Sequence, residues 1–428
     1  MKPILQVALD FVDLPRALKV AAESVAGGAD RIEAGTPLIK SLGLEAVREL
    51  RKRFPGQQIV ADMKTMDVGR VEVEMAAKAG ADIICVMGAA TDSTIKDAIR
   101  AGSNYGAKIM VDLLGVSSPL KRAQEVEKFG ADYLGVHISI DEQMEGKISF
   151  ETIKKLSKRT NLPIAVAGGI NSETVVDVLD AGAEIIIVGG AIIKAENARE
   201  ATRIIKKAMQ TKRRIKTKLY KRVTEENVKE ILLLVSTANI SDAMHRQGEL
   251  EGIFPLLKGT KLVGKAFTVR TYPGDWSKPV EAVDSAKEGE VIVIDAGGVG
   301  PAVWGELATN SCLVKKIAGV VIDGAIRDAG EIRKMKFPAF AKTVTPAAGE
   351  PKGFGELDIP INVGGRRVFP GDWIVGDDDG VVVISQKEVA EITNRAMDVL
   401  EKENRLRKEI RDGGTLSKIT ELLKWEKK

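Results

Sequence analysis

The sequence predicts an α/β protein, a closed (β/α)8 barrel of the TIM type followed by a second, mixed α/β domain. Three observations carry this expectation. The chain's 428 residues exceed the length at which one hydrophobic core stops growing, so two domains of about 200 residues each are expected. Through the first half, eight short runs rich in Val and Ile alternate with amphipathic stretches. After Met209 that rhythm gives way to short strands separated by Gly and Asp turns.

The eight runs are LQVAL (5–9), RIEAG (31–35), QIVADMK (58–64), IICVMG (83–88), KIMVDLLG (108–115), YLGVHI (133–138), PIAVAGG (163–169) and IIIVGG (185–190). Between them, stretches such as DLPRALKVAAESVAGG and SPLKRAQEVEKFG place apolar residues at helical spacing. Four helices close on a Gly, a small apolar residue and an acid: GGAD (27–30), AGAD (79–82), FGAD (129–132) and AGAE (181–184). The Gly supplies the left-handed stop before the next strand. Eight buried strands alternating with helices over about 200 residues close into a parallel barrel more readily than they form an open sheet.

Composition narrows the function classes. A hydrophobic content of 44% supports real cores, and a net charge of +4 on this length argues against a nucleic-acid partner. Two cysteines, Cys85 and Cys312, cannot build a disulfide framework. With no signal peptide and no 18-residue apolar run, the expectation is a cytoplasmic protein with no membrane partner.

A barrel of this kind carries its site at the C-terminal ends of the strands. Asp10 follows the first strand, Glu33 lies near the end of the second, Asp62 and Lys64 end the third, Asp112 lies on the fifth and His137 ends the sixth. Alternation puts Asp62 and Lys64 on one face, where nearby carboxylates hold the lysine charged. Glu33 and Asp62, on adjacent strands, can share a hard cation such as Mg²⁺, which prefers carboxylate oxygen and keeps several waters. The seventh and eighth strands end in Gly168-Gly169 and Gly189-Gly190, the usual phosphate cradle of this fold, so a phosphorylated sugar is the expected substrate. Singly, each feature has a plainer reading, as a solvated strand end, an ordinary turn or a satisfied core histidine. Their coincidence favours a site, because only two histidines exist and one falls at a strand end.

The segments IEAGTPLIKS (32–41), VADMKTMD (60–67), MAAKAGAD (75–82), VHISIDEQ (136–143), IAVAGGINSET (164–174) and IIVGGAIIKA (186–195) resemble 3-hexulose-6-phosphate synthases. These belong to the orotidine-monophosphate decarboxylase superfamily, whose hallmark is D-x-K-x-x-D. The resemblance covers about residues 1–210. It implies Mg²⁺ on Glu33 and Asp62, with Lys64 assisting, Asp67 reaching a partner subunit's site across a dimer and His137 transferring the proton. It also implies that formaldehyde joins ribulose 5-phosphate through a metal-stabilised enediolate. A sister family, the ketogulonate-phosphate decarboxylases, carries arginines where this sequence has Ile140 and Gly190, which favours the synthase.

TKRRIKTKLYKR (211–222) holds seven basic residues and no acid, and reads as a solvated linker or helix face, with an RNA-contacting arm as the lesser alternative; 211–223 separates domains at 1–210 and 224–428. Beyond it, the strand at 291–294 runs into AGGVG and a helix expected to start at Pro301, so that Gly298 and Gly300 offer amides to a carboxylate. A charged helix at 387–411 closes the region. Residues 230–412 resemble the family named for regulator of ribonuclease activity A, which includes divalent-metal pyruvate aldolases. The aldolase branch has an acid, twenty residues, then Arg-Asp, and this chain has Glu306 followed by Arg327-Asp328 at that spacing. The resemblance implies Asp328 and Glu306 around Mg²⁺ or Mn²⁺, and Arg327 gripping the carboxylate of a 2-oxo acid. A non-catalytic binding module is the alternative. Because the barrel family implies two-fold contacts and the second family three-fold ones, a homo-oligomer, favoured as a D3 hexamer, is expected.

Overall fold

The computed structural model describes residues 2–137, 151–217, 223 and 227–419; Ile140 and the last part of the basic segment, 218–222, lie outside the described residues. The chain divides into two compact units, the barrel region together with Glu401–Lys428, and Arg222–Leu400. The tail from Glu401 therefore groups with the barrel, whereas the sequence reading placed it in the second domain. The reason is a buried side chain, since Arg405 is 2% exposed and donates to the Ala195 carbonyl.

In the first unit, β1 (Ile4–Leu9), β2 (Arg31–Ala34), β3 (Gln58–Thr65), β4 (Ile83–Met87), β5 (Lys108–Asp112), β6 (Tyr133–His137), β7 (Ile164–Ala167) and β8 (Ile185–Val188) close a barrel in sequence order. All pairings are parallel, including β8 with β1. The interior is filled by Val60, Ile83, Cys85, Met110, Ala165 and Ile185, and a larger core lies between strands and helices. Such packing makes the barrel a solid plug whose polar groups are left to its ends.

The helix-stop motif does more than stop helices. Gly28, Gly80, Gly130 and Gly182 all have φ between +92° and +106°, as expected of the left-handed stop. The acid that follows then binds a neighbouring strand: the Asp30, Asp82 and Asp132 carboxylates accept the backbone N–H of Leu5, Ile59 and Ile109. Each of those aspartates also donates its own N–H to the same residue's carbonyl. A two-way clasp thus closes the bottom edges of β1, β3 and β5, where strand N–H groups would otherwise be unpaired.

In the second unit the strands are β9 (Phe254–Pro255), β10 (Leu262–Arg270), β11 (Val291–Asp295), β12 (Gly319–Ile326), β13 (Ala339–Val344), β14 (Glu356–Leu357), β15 (Ile361–Val363), β16 (Arg366–Val368), β17 (Trp373–Asp377) and β18 (Gly380–Ile384). The main sheet runs β18-β17-β10-β11-β12-β13-β9, with β10 to β13 parallel and β17 and β18 antiparallel. The helix expected from Pro301 begins instead at Glu306 and runs Glu306–Lys315. Residues 302–304 are held extended: Ala302 bridges Ala348, Trp304 bridges Ile326, and the Val303 N–H donates to the Ala325 carbonyl. Gly298 and Gly300 consequently do not cap that helix.

The first part of the basic segment is also pinned rather than free. Ile215 exchanges hydrogen bonds with Ser172, the Thr217 N–H donates to Glu173, and Arg214 pairs with Asp177 at 2.6 Å.

The clasp generates a test. Asp132→Ala removes a carboxylate hydrogen bond to a strand N–H, and should lower stability by about 1–3 kcal/mol. Urea unfolding would show a lower midpoint at unchanged slope; an unmoved midpoint would count against the clasp.

Candidate functional site

The strand ends bring Asp10, Glu33, Asp62, Lys64, Asp112 and His137 to one mouth. Lys64 Nζ lies 3.2 Å from both Asp62 and Asp112, and His137 Nδ1 lies 3.9 Å from the same Asp112 oxygen. Plain strand alternation is not what joins Asp62 to Lys64. The β3 register shifts between Ala61 and Thr65, and Lys64 adopts φ 47°. An irregular backbone at a working residue is strain held by its surroundings; here the ion pairs and the flanking pairings of β3 hold it.

Charge is unevenly balanced in this mouth. Burial disfavours the Lys64 ammonium, but Asp62 and Asp112 outweigh that and hold its pKa above the usual lysine range. Glu33 is buried, and loss of hydration followed by repulsion from Asp62 and Asp10 pushes its carboxyl well above the usual range, against donation from the Gln6 amide. Asp10 opens to solvent at the rim yet is ringed by protein atoms. Its pKa is pushed up to about 6 by lost hydration and then by Asp62, with Lys64 and Lys194 acting in the opposite direction.

Asp10 lies against two glycines. A Cβ at Gly35 would come 2.2 Å from one Asp10 oxygen, and one at Gly189 would come 3.1 Å from the other. Gly168 and Gly169 both have positive φ, and the Gly169 carbonyl accepts from Thr174. Gly190 opens the short helix Gly190–Ile193. Asp67 is exposed, accepts from the Val68 N–H and does not join the cluster of its own chain.

Three further residues shape the mouth. Asp112 joins Lys64 to His137; its place on the fifth strand was legible, its central position was not. Thr36 donates to an Asp62 oxygen at 2.7 Å. Lys194 lies close enough to Asp10 to lower its pKa. Thr36 opens the helix Thr36–Leu42 that follows β2, and Lys194 sits in the segment after β8, where sequence offered only the general rule that such connections carry function.

Among the described residues, no three Asp, Glu, His or Cys side chains form a ready-made metal cage. The donor chemistry nonetheless suits Mg²⁺, which is held by one or two carboxylates and keeps its waters. Glu33 and Asp62 repel one another across adjacent strands, and the buried Gln6 Oε1 lacks a hydrogen-bond partner.

In the second unit Glu306, Arg327 and Asp328 come together. Asp328, at φ 57°, accepts the Glu306 N–H at 3.1 Å, and Arg327 Nε lies 3.5 Å from the same oxygen. The Glu306 carboxylate turns to Asn310, which leaves Asp328 as the carboxylate best placed for a cation. One carboxylate suits only a cation that stays largely hydrated. Gly298 lies beside Asp323 and Lys342, and Gly300 beside Ala325 and Thr345.

A parallel eight-stranded barrel with carboxylates and a lysine at its mouth has the form of an enzyme site that many chemistries share, and the family comparison supplies the class. Residues 3–205 match the "Orotidine 5'-phosphate decarboxylase / HUMPS family", and residues 237–383 match "Aldolase/RraA". The chain belongs to the first family through its N-terminal half, which is a lyase domain, and carries an RraA-like domain after it. Its relatives include the 3-hexulose-6-phosphate synthase of Bacillus subtilis, 42% identical over 46% of this chain and 93% of that protein. That of Mycobacterium gastri is 38% identical over 48% of this chain and 99% of its own length. A solved structure of the RNA-processing inhibitor RraA from Thermus thermophilis is 28% identical, covering 35% of this chain and 92% of that one, with a TM-score of 0.33. Among the described residues, no helix is long and apolar enough to cross a membrane.

The raised Asp10 pKa makes a signed prediction. Its folded value, about 6, exceeds the ordinary 3.8, so the ionised carboxylate costs stability fully above pH 6 and progressively less as pH falls towards 4. Asp10→Asn should therefore raise the thermal midpoint of chelator-treated protein at pH 8, and the gain should vanish near pH 4. A gain that grew on acidification would contradict the assignment.

Proposed function

We propose that the N-terminal domain is a 3-hexulose-6-phosphate synthase that condenses formaldehyde with ribulose 5-phosphate. The observation that carries this reading is the connected set Asp62, Lys64, Asp112 and His137, with the 42% identical synthase in support. The glycine turns after β7 and β8 hold the phosphate through backbone N–H groups. His137 takes a proton from C1 of the sugar, and the negative Asp112 beside its ring favours the imidazolium that results. Lys64, kept charged by its two aspartates, donates to the sugar oxygen on which negative charge develops. The carbon freed of its proton attacks formaldehyde, whose oxygen takes the proton back from His137 and becomes the new hydroxyl. Glu33 and Asp62 would hold Mg²⁺, which when bound would supply further positive charge to those oxygens. Asp67, which stands among the exposed Met66, Val68, Val71 and Met75, contributes to the site of a second copy across a two-fold contact.

A second reading concerns the RraA-like domain. We infer a carboxylate-binding site of the 2-oxo acid aldolase type, supported by the convergence of Glu306, Arg327 and Asp328 on one turn. Arg327 grips the substrate carboxylate through paired N–H groups.

For the first reading, the full chain incubated with Mg²⁺, formaldehyde and ribulose 5-phosphate should form hexulose phosphate, and His137→Ala should lose about 10²–10⁴ in rate. Near-normal turnover by His137→Ala would remove the histidine from the mechanism. For the second, pyruvate enolisation followed by deuterium exchange with Mg²⁺ or Mn²⁺ added should fall almost as far in Arg327→Lys as in Arg327→Ala, since an ammonium cannot make the paired contact. No exchange by the unmodified chain would leave the domain a binding module.

A further inference from the structure

The glycine turn after β8 continues through Gly190–Ile193 into a junction, residues 194–197, before the helix Ala198–Thr211. Lys194 in this junction acts on Asp10 at the mouth. Behind the junction lies the end of the longest helix among the described residues, Val389–Arg411. Arg405, 2% exposed, donates to the Ala195 carbonyl at 3.2 Å. Its guanidinium also lies 3.6 Å from Glu23, and Glu23 in turn accepts the Ala198 N–H at 3.2 Å. One ion pair therefore holds both ends of the junction. Lys408 donates to the Glu196 carbonyl, and Arg411 lies 3.3 Å from the Glu196 carboxylate. Glu409 braces the assembly between Arg405 at 3.1 Å and Arg16 at 3.3 Å.

A cavity of about 300 Å³ borders the same junction, lined by Asn171 and Ser172 from the β7 loop, by Ala191, Ala195 and Glu196, and by Asn404 from the long helix. With open space beside it, the junction takes its position from the bonds that Arg405 and Lys408 make to it. Buried charged hydrogen bonds are costly to break singly, so the Arg405 set holds the junction more firmly than surface contacts would.

We propose that Arg405, with Glu23, is a positioning residue for the sugar-phosphate turn at Gly189-Gly190, and that residues 401–411 act as a strap across the back of the barrel's site. This rests on the synthase reading above for its kinetic consequence. Arg405 touches neither substrate nor metal; it fixes where the turn presents its N–H groups to the phosphate.

The experiment uses full-length chain. Relative to the unmodified protein, Arg405→Ala should raise KM for ribulose 5-phosphate roughly tenfold or more, as displacement of a positioning group does. The change in kcat should stay within about twofold, and KM for formaldehyde should not move. Arg405→Lys, which keeps a charge for Glu23 and one donor for Ala195, should recover part of the loss. Should Arg405→Ala fail to fold, Glu23→Gln, which removes the ion pair with little change of shape, takes its place with the same expectations. An unchanged sugar-phosphate KM, or a fall in kcat with KM constant, overturns the strap. If the unmodified chain lacks synthase activity, the reaction reading fails on its own. Calorimetric titration with inorganic phosphate then decides the strap: binding weakened about tenfold in the variant supports it, and equal binding overturns it.

Discussion

The mouth of the barrel gathers more negative charge than a protein interior tolerates without compensation. Asp10, Glu33, Asp62 and Asp112 converge there, and Lys64 answers two of them directly at 3.2 Å. An isolated buried carboxylate escapes by taking up a proton. That is the direction in which Glu33 and Asp10 are pushed, while Lys64 is pushed towards fuller charge. The site therefore holds one strongly fixed positive charge and an excess of acceptor oxygen. Such a distribution suits a hard cation and a substrate that becomes negative as it reacts.

The backbone serves this arrangement at some conformational cost. A regular β3 would continue its pairing with β4 through residues 62–64; the shift between Ala61 and Thr65 interrupts it, with Lys64 in the left-handed region. The interruption is affordable because the barrel is closed everywhere else, by its packed interior and by the aspartate clasps at its lower rim. Regular pairing and close packing lie at the bottom and middle of the barrel, and irregularity at the top, which is the division of labour expected of this fold.

The RraA-like unit distributes its polar groups differently. Its parallel strands end in loops held by aspartates: Asp275 accepts the N–H groups of Ser277, Lys352 and Phe354, and Asp323 accepts that of Gly364. Those bonds hold the Asp275 carboxyl far below the usual carboxylate range even against burial. Side chains of this kind fix loops. The Glu306, Arg327 and Asp328 group is more open, with Asp328 and Arg327 both partly exposed, and stands apart from them.

Periodicity and helix-stop glycines made the barrel legible in the sequence, because burial on both faces demands continuous apolar strands and each helix needs a left-handed exit. Strand-end position likewise made Asp10, Glu33, Asp62, Lys64 and His137 recognisable, since that placement is a property of chain order. Several matters were decided only by tertiary structure. The link from Lys64 through Asp112 to His137 joins three strands far apart in sequence. The helix expected at Pro301 is displaced to Glu306 by pairing with Ala348 and Ile326, and no local pattern encodes those partners. The tail from Glu401 groups with the barrel because Arg405 finds Glu23, nearly the whole chain away, and Ala195, about half the chain away. Local sequence specifies which residues form an element and which face they bury. Which distant charge meets which is settled only when the chain closes on itself.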